Sequence, residues 1–163
     1  MHGKTTLLKD IVKQISNGIE EINFKGITVG IVDERGEIAA LYKGISQNDI
    51  GIKTDVIDNT SKDIGIKMLI RSMAPQVVVA DEIGKETDIE AINYAISSGV
   101  KGIFSAHGND FEDLKNNNIL KYLIDNFIFE TILILDLKEK GKLKNVYLLN
   151  KNEMKYEKQR IFV

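Results

Sequence analysis

Three short runs of mainly apolar residues stand out in this chain, and each is followed by polar or charged residues. The runs occupy residues 27–32, 77–80 and 102–106. A continuous apolar run of this length is typical of a strand that is buried on both faces, as in a parallel sheet. We therefore predict an α/β fold in which these three strands lie side by side in a mostly parallel, three-layer arrangement.

Between the runs, apolar residues recur three and four positions apart, which is the spacing of one face of a helix. The first helix is predicted from residue 4 or 5 to residue 16, and the second ends before Pro75. A capping box formed by Thr87 and Glu90 is predicted to open the third helix. The apolar helical positions are Leu7, Leu8, Ile11, Val12 and Ile15, then Ile66, Leu69, Ile70 and Met73, then Ile89, Ile92 and Ile96.

The pattern changes in the last third of the chain, where it predicts short helices followed by antiparallel strands. The helices are expected within residues 111–126, with a break near residues 116–118, and the strands at residues 129–137, 143–149 and 154–163. The many lysines between residues 138 and 158 are interspersed with acids. A solvated hairpin is therefore favoured over a phosphate-binding patch.

One long stretch, residues 42–63, lacks a clear period. Its polar residues and repeated glycines are unusual for a core element. A loop of this length in a compact domain often has a function, so we predict a loop that contacts a neighbouring subunit or an effector.

Length and charge narrow the class of protein. The chain has 163 residues, which suits one domain with a single core. Its 22 basic and 24 acidic residues give a net charge of −2, so we do not expect DNA binding driven by a basic surplus. The absence of cysteine fits a reducing cytoplasm. No apolar run approaches the ~20 residues that cross a bilayer, so no direct membrane insertion is expected.

The strongest chemical signal is a pair of acids, Asp81 and Glu82, directly after the apolar run 77–80. Two carboxylates at the end of a buried strand are costly unless they bind a metal or transfer a proton. This pattern is typical of a Walker B motif, in which Asp81 would hold Mg²⁺ through water and Glu82 would polarise an attacking water. The alternative is that the acids only mark the point where a buried strand reaches the surface.

A second signal lies at the start of the chain. Gly3, Lys4, Thr5 and Thr6 match the second half of a phosphate-binding loop, and a helical pattern follows at once. Lys4 would lie between the terminal phosphates of ATP, the Thr5 hydroxyl would ligate Mg²⁺, and amides of the first helical turn would bind phosphate oxygens. Together with the two acids, this motif predicts a nucleoside triphosphatase.

The sequence begins inside this motif, since only Met1 and His2 precede Gly3. A phosphate-binding loop normally follows a strand and an earlier glycine. We therefore expect the chain to be a fragment that is truncated within the loop. Loss of the preceding strand is expected to expose a sheet edge and to favour aggregation, swapping or closure of the gap.

Other polar residues follow the remaining apolar runs. Asp33 and Glu34 come after the first run and His107 comes after the third. Because carboxyl ends of parallel strands share one edge, these side chains are candidates to face the same nucleotide, with His107 sensing its terminal phosphate. The alternatives are a charged surface turn at Asp33 and Glu34 and a structural histidine.

Several spaced motifs resemble those of known ATPases. Residues 69–84 and 105–108 resemble the Walker B and histidine-box region of type II and type IV secretion ATPases, and the match is closer to the family of stage III sporulation protein AA. Residues 3–10, 32–39 and the stretch 42–56 also resemble that family. The resemblance covers about residues 3–146.

This resemblance implies a RecA-like P-loop NTPase core, an absent N-terminal domain, and a homohexamer with ATP between neighbouring subunits. It also implies that Asp33 and Glu34 form an aspartate box, with Asp33 at the metal. Arg35 or Arg71 would approach phosphate within or across a subunit boundary, because the two are expected to lie nearest the active edge. The core would be followed by antiparallel C-terminal strands.

The predicted function is Mg²⁺-dependent ATP hydrolysis that energises a membrane channel during endospore formation. The protein would be cytoplasmic and would reach the membrane through its channel partners. Two alternatives remain: an ATPase associated with single-stranded nucleic acid, and a non-hydrolysing oligomeric scaffold. A scaffold has no need of Lys4, Thr5, Asp81 and Glu82 together, which favours chemistry.

Overall fold

The computed structural model describes residues 3–139 and 141–161. Their contacts group into two compact units, which are described in turn. One unit is the continuous segment Thr5–Ala106, and the other contains Gly3, Lys4 and the chain from His107 onward. The expectation of one RecA-like domain over residues 1–163 stays a prediction.

The segment Thr5–Ala106 is built around a four-stranded parallel sheet. Its elements are α1 (Lys4–Asn17), a 3₁₀ helix (Glu20–Ile22), β1 (Val29–Asp33), β2 (Leu41–Tyr42), β3 (Ile45–Ser46), β4 (Thr54–Asp58), α2 (Lys62–Met73), β5 (Val77–Ile83), α3 (Glu86–Ser97) and β6 (Lys101–Ala106). The strand order is β4-β1-β5-β6. The three strands predicted from the apolar runs therefore lie side by side, as expected.

The register aligns the ends of these strands. Val29 pairs with Thr54 on one side and with Val77 on the other, and Val77 pairs with Lys101. The amino ends of all four strands thus lie together on one side of the sheet, and their carboxyl ends lie together on the opposite side. The residues that follow their carboxyl ends are brought to a common rim.

Each face of the sheet is covered by helices. On one face, Val29 and Val79 belong to a buried cluster with Leu8 and Val12 of α1. The other face packs Val32, Val78 and Ala80 against α2 and α3, through Ile66, Leu69, Ala91 and Ala95. Alternate strand residues therefore face opposite helical layers. This confirms the predicted three-layer arrangement.

The predicted loop at residues 42–63 is only partly a loop. It contains the short hairpin of β2 and β3 and the edge strand β4, which pairs with β1 over its whole length. An edge strand has a neighbour on one side only, so polar residues such as Asp55 are tolerated there. As a result, β4 lacks the continuous apolar run by which the other strands were recognised.

The start of α3 also differs from the prediction. The helix begins at Glu86, before the proposed capping box of Thr87 and Glu90. Instead, the buried Asp88 carboxylate accepts hydrogen bonds from the amides of Gly84 and Lys85, at 2.8 and 2.9 Å. The capping-box prediction is wrong because Asp88, the third residue of the helix, accepts hydrogen bonds from the free amides that precede it.

The second unit contains α4 (Phe111–Leu114), α5 (Asn118–Asp125), β7 (Thr131–Leu135), β8 (Leu143–Asn150) and β9 (Lys155–Gln159). The strands form an antiparallel sheet in the order β7-β8-β9. The Phe111 ring stacks on Tyr147 with centroids 4.5 Å apart, and the Tyr156 hydroxyl donates to the Phe129 carbonyl at 2.7 Å. The predicted helix break and C-terminal strands are confirmed, although residues 162 and 163 of the last predicted strand lie outside the described residues.

Within residues 3–139 and 141–161, no helix is both long and apolar enough to cross a bilayer.

Candidate active site

The carboxylate of Asp81 contacts a hydroxyl of the predicted phosphate-binding motif. Asp81 lies near the carboxyl end of β5, and Thr5 lies in the first turn of α1. The Thr5 Oγ1 atom donates to Asp81 Oδ2 at 3.1 Å, and the Ser105 hydroxyl of β6 donates to Asp81 Oδ1. Residues 76 positions apart are thus joined at the rim of the sheet.

Glu82 has an unusual backbone at the same rim. Its φ is +58°, in the left-handed region that non-glycine residues adopt only at a cost of about 1–3 kcal/mol. Its amide donates to Ser105 Oγ at 3.0 Å, and its carboxylate forms an ion pair with Arg35. The carboxylate is mostly shielded, whereas the Arg35 side chain is exposed. The strand therefore delivers Glu82 to the rim in a fixed conformation.

Glu34 is held by two lysines. The Lys62 ammonium is 2.6 Å from Glu34 Oε2, and the Lys85 ammonium is 3.3 Å from Oε1. The hydrogen bond from Lys62 holds the pKa of Glu34 below its usual range, against the opposing effect of burial. Lys62 is only 5% exposed and the Glu34 side chain is 30% exposed, so the ammonium group is the buried partner of the pair. Glu34 is thereby an ionised anchor that joins the end of β1 to the start of α2.

Asp33 is buried and accepts hydrogen bonds from four backbone amides. Oδ1 receives the amides of Glu37 and Ile38 at 2.9 and 3.1 Å, and Oδ2 receives those of Ala39 and Ala40 at 2.8 and 3.2 Å. A cation would have to displace several of these bonds. The geometry favours a structural role that shapes the loop after β1 over the predicted role as a metal ligand.

Lys4 and His107 are brought together in the second unit. Lys4 Nζ lies 3.1 Å from His107 Nδ1. An ammonium group can only donate, so the Lys4 side chain is the donor in this contact. Gly3, with φ +77°, precedes the helix start directly, and Thr6 is exposed in the first turn of α1.

Arg71 does not lie near the active rim, and the prediction that placed it there is wrong. It belongs to the last turn of α2, which precedes the start of β5 by a short connection. Arg71 therefore lies at the amino-terminal edge of the sheet, opposite Asp81. There its Nε donates to the Tyr94 hydroxyl at 3.3 Å.

Sequence reasoning missed three residues at the rim: Ser105, Lys62 and Lys85. In the sequence, Ser105 is a polar residue within the apolar run 102–106, two positions before His107. The two lysines lie at or just before helix starts, where the helix dipole disfavours a cation. A lysine in that position signals a nearby anion, which here is Glu34.

The oxygen donors of this site suit a hard divalent cation. Among the residues that the structure describes, no group of three or more acidic or histidine side chains is arranged to hold a metal ion. Mg²⁺ in nucleotide sites is commonly bound by one or two protein oxygens together with water and phosphate. Thr5 Oγ1 and Asp81 Oδ2 are such a pair, so the residues present fit the ion.

The fold is shared with a protein of known structure. The structure is similar to the X-ray structure of the Legionella pneumophila ATPase DotB, with a TM-score of 0.59 and 11% sequence identity. The similarity covers 93% of this chain and 43% of that chain. Identity this low bears on the fold alone, and the fold is that of a RecA-like core with added antiparallel strands.

Sequence comparison defines the family. The model of the family described as "Sporulation stage III, protein AA" matches residues 1–154, and the chain belongs to this family. Stage III sporulation protein AA of Bacillus subtilis (strain 168) is 41% identical over 146 residues, which cover 89% of this chain and 47% of that protein. The uncharacterized protein ycf45 of Porphyra purpurea is 29% identical over 147 residues, covering 88% and 25%. The chain thus spans about half the length, or less, of these relatives. The resemblance identified from the motifs is confirmed.

Proposed function

We propose that this chain is the core of a Mg²⁺-dependent ATP hydrolase that energises a membrane channel complex during endospore formation. The observation that carries the proposal is the contact of Thr5 Oγ1 with Asp81 Oδ2 at 3.1 Å. It joins the two motifs that a nucleoside triphosphatase needs, at the carboxyl ends of parallel strands where such folds bind ligands.

Nucleotide binding is assigned to the start of α1. Gly3 permits the left-handed turn into the helix, and the amides of the first turn, including those of Thr5 and Thr6, are donors for phosphate oxygens. Lys4 supplies the positive charge. Mg²⁺ bound with ATP would neutralise charge on the terminal phosphates, and Thr5 and Asp81 are the residues that would hold it.

Catalysis is assigned to Glu82 as the residue that orients and polarises water. The ion pair with Arg35 holds the Glu82 carboxylate at the rim, next to Asp81. His107 is assigned the sensing of the terminal phosphate, because its imidazole already contacts Lys4, the residue meant to bind that phosphate. Glu34 and Asp33 support the rim through their lysine and amide partners.

The cellular setting is also part of the proposal. The family and the fold suggest a homo-oligomer, and by analogy with RecA-like ATPases we propose a hexamer. Its partners would be membrane channel proteins of a sporulation secretion complex, and the protein would be cytoplasmic and bound to the membrane only through them. No DNA partner is proposed, because the chain has no basic surplus.

The test is ATP hydrolysis by the natural protein in its full length, compared with two variants. Glu82→Gln should abolish turnover and still retain nucleotide, because Glu82 acts on water and not on phosphate. Lys4→Ala should instead lose nucleotide affinity. A Glu82→Gln variant with more than about a tenth of wild-type turnover, a barrier change under ~1.4 kcal/mol, would remove Glu82 from the catalytic role.

A further inference from the structure

We propose that Ser105 is a positioning residue that fixes the metal-facing carboxylate of Asp81 and the backbone of Glu82 through one hydroxyl. The inference rests on the proposed function, since it concerns the same site. The motif at residues 105–108 contains Ser105 but gave it no role, and the role follows from the geometry of β5 and β6.

The hydrogen bonds around Ser105 have a defined direction. The amide of Glu82 can only donate, so Ser105 Oγ accepts from it at 3.0 Å. A serine hydroxyl has a single hydrogen, which is then available to Asp81 Oδ1. Since Thr5 donates to the other oxygen of Asp81, both carboxylate oxygens receive a hydroxyl hydrogen.

The strand register explains why a hydroxyl is needed at this position. Ala80 pairs with Phe104, and the next pair is Ile83 with Ala106. Asp81 and Glu82 therefore both lie opposite Ser105, which makes this part of β5 a bulge. The bulge removes the regular ladder bond for one amide, and the Ser105 side chain accepts that amide instead.

The bulge also accounts for the left-handed backbone of Glu82. A bulge redirects a side chain relative to a regular strand, and it leaves the conformation dependent on local partners. The Ser105 bond fixes the amide side of Glu82, while Arg35 holds its carboxylate. Loss of the hydroxyl should therefore loosen Glu82 and Asp81 together.

The experiment compares Ser105→Ala and Ser105→Thr in the full-length natural protein. Replacing a residue that hydrogen-bonds to a metal ligand typically lowers metal affinity or activity by ~10- to 100-fold. We expect losses in that range for Ser105→Ala in both kcat and Mn²⁺ affinity. Mn²⁺ binding is measured by electron paramagnetic resonance in the presence of ADP. Affinity for ADP without metal should not change, because Lys4 and the α1 amides are intact. Ser105→Thr keeps the hydroxyl and should restore both quantities.

Ser98→Ala is the matched control. Its hydroxyl donates to the Tyr94 carbonyl at 2.8 Å on the exposed end of α3, so its removal also deletes one serine hydrogen bond. This variant should keep wild-type turnover and Mn²⁺ affinity.

The outcomes separate the two proposals. If the wild type hydrolyses ATP and Ser105→Ala has the same kcat and Mn²⁺ affinity as the wild type, the role of Ser105 alone is overturned. The same conclusion follows if a folded Ser105→Thr variant has neither the kcat nor the Mn²⁺ affinity of the wild type. A wild type that binds Mn²⁺ with ADP without hydrolysing ATP would overturn the proposed function, while weakened Mn²⁺ binding in Ser105→Ala would still support the positioning role. A wild type with neither property would overturn both.

Discussion

Four acids lie at the rim of the parallel sheet, and their partners give them different tasks. Asp33 is saturated by backbone amides, and Glu34 by two lysines. Asp81 receives the hydroxyl groups of Thr5 and Ser105, which can share a carboxylate with a cation because a hydroxyl oxygen is itself a ligand. Residue type alone does not separate a ligand from a structural anchor here.

Replacing Asp33 by asparagine tests this distinction. The amide group of asparagine would face two backbone N–H donors, so we expect a loss of about 1–3 kcal/mol in the free energy of unfolding. Mn²⁺ affinity should stay near the wild-type value. Asp81→Asn is the comparison, and it should lose Mn²⁺ affinity at least ~10-fold. Equal losses of Mn²⁺ affinity in the two folded variants would restore Asp33 as a metal ligand.

The Glu34 and Lys62 pair predicts a defined pH dependence. Because the pKa of Glu34 is lowered in the folded state, its contribution to stability is present above the unfolded pKa and disappears as pH falls through the folded pKa. Glu34→Gln should therefore be less stable than wild type at pH 7, by about 1–3 kcal/mol. The difference should shrink below about pH 4. Urea unfolding at pH 7, 5 and 3 measures it, and a difference that does not vary with pH would contradict the assignment.

At the scale of whole elements, the sequence predicted what depends on local pattern and missed what depends on neighbours. The central strands and the helices were visible as apolar runs and helical spacing. Edge strand β4 was not, since one open side permits polar residues. The position of Arg71 was wrong because α2 returns antiparallel to the strands, which carries its last turn to the amino-terminal edge.

The candidate site divides in the same way. Thr5 and Asp81 were placed together from two motifs, because a parallel sheet brings strand ends and helix starts to one edge. The contribution of Ser105 depends on a register shift between β5 and β6, which no local pattern encodes. The lysines that hold Glu34 lie at or just before the starts of two separate helices, so their convergence also required the tertiary structure.

The contact of α2 with β1 gives a prediction for the element scale. A Cβ atom at Gly65 would lie 2.6 Å from Val32 Cγ1, too close for an unshifted helix. Alanine is favoured over glycine within a helix by about 1 kcal/mol, whereas overpacking a core costs about 1–3 kcal/mol. We expect Gly65→Ala to lower the free energy of unfolding.

Val32→Ala provides the control for this prediction, because it removes the two Cγ atoms that the new methyl group would approach within 3.0 Å. In that background, Gly65→Ala should be neutral or stabilising. A destabilisation of equal size in both backgrounds would show that packing against Val32 is not the cause.

For the whole molecule, the question is which cation completes the proposed site. Lys4 is assigned to the ground-state phosphates, so charge that develops during transfer needs another cation. Arg35 already pairs with Glu82 of its own chain. Arg71 lies at the opposite edge of its own sheet, so it can approach phosphate only from a neighbouring subunit. The proposed ring therefore makes Arg71 the candidate that acts in trans.

The last prediction mixes inactive variants of the full-length protein. We expect Glu82→Gln mixed with Arg71→Ala to regain activity, because at an interface between the two an intact Glu82 meets an intact Arg71. Random mixing of equal amounts gives roughly a quarter of such interfaces in a cyclic ring. Arginines of this kind are worth ~10³ to 10⁵ in rate, so even this fraction is readily measured.

Arg35→Ala mixed with Glu82→Gln should stay inactive, since Arg35 serves the Glu82 of its own chain. Specific activity of the wild type should also rise with protein concentration as rings form. Failure of the Arg71→Ala mixture to recover, together with activity that does not depend on concentration, would exclude an arginine acting across the interface.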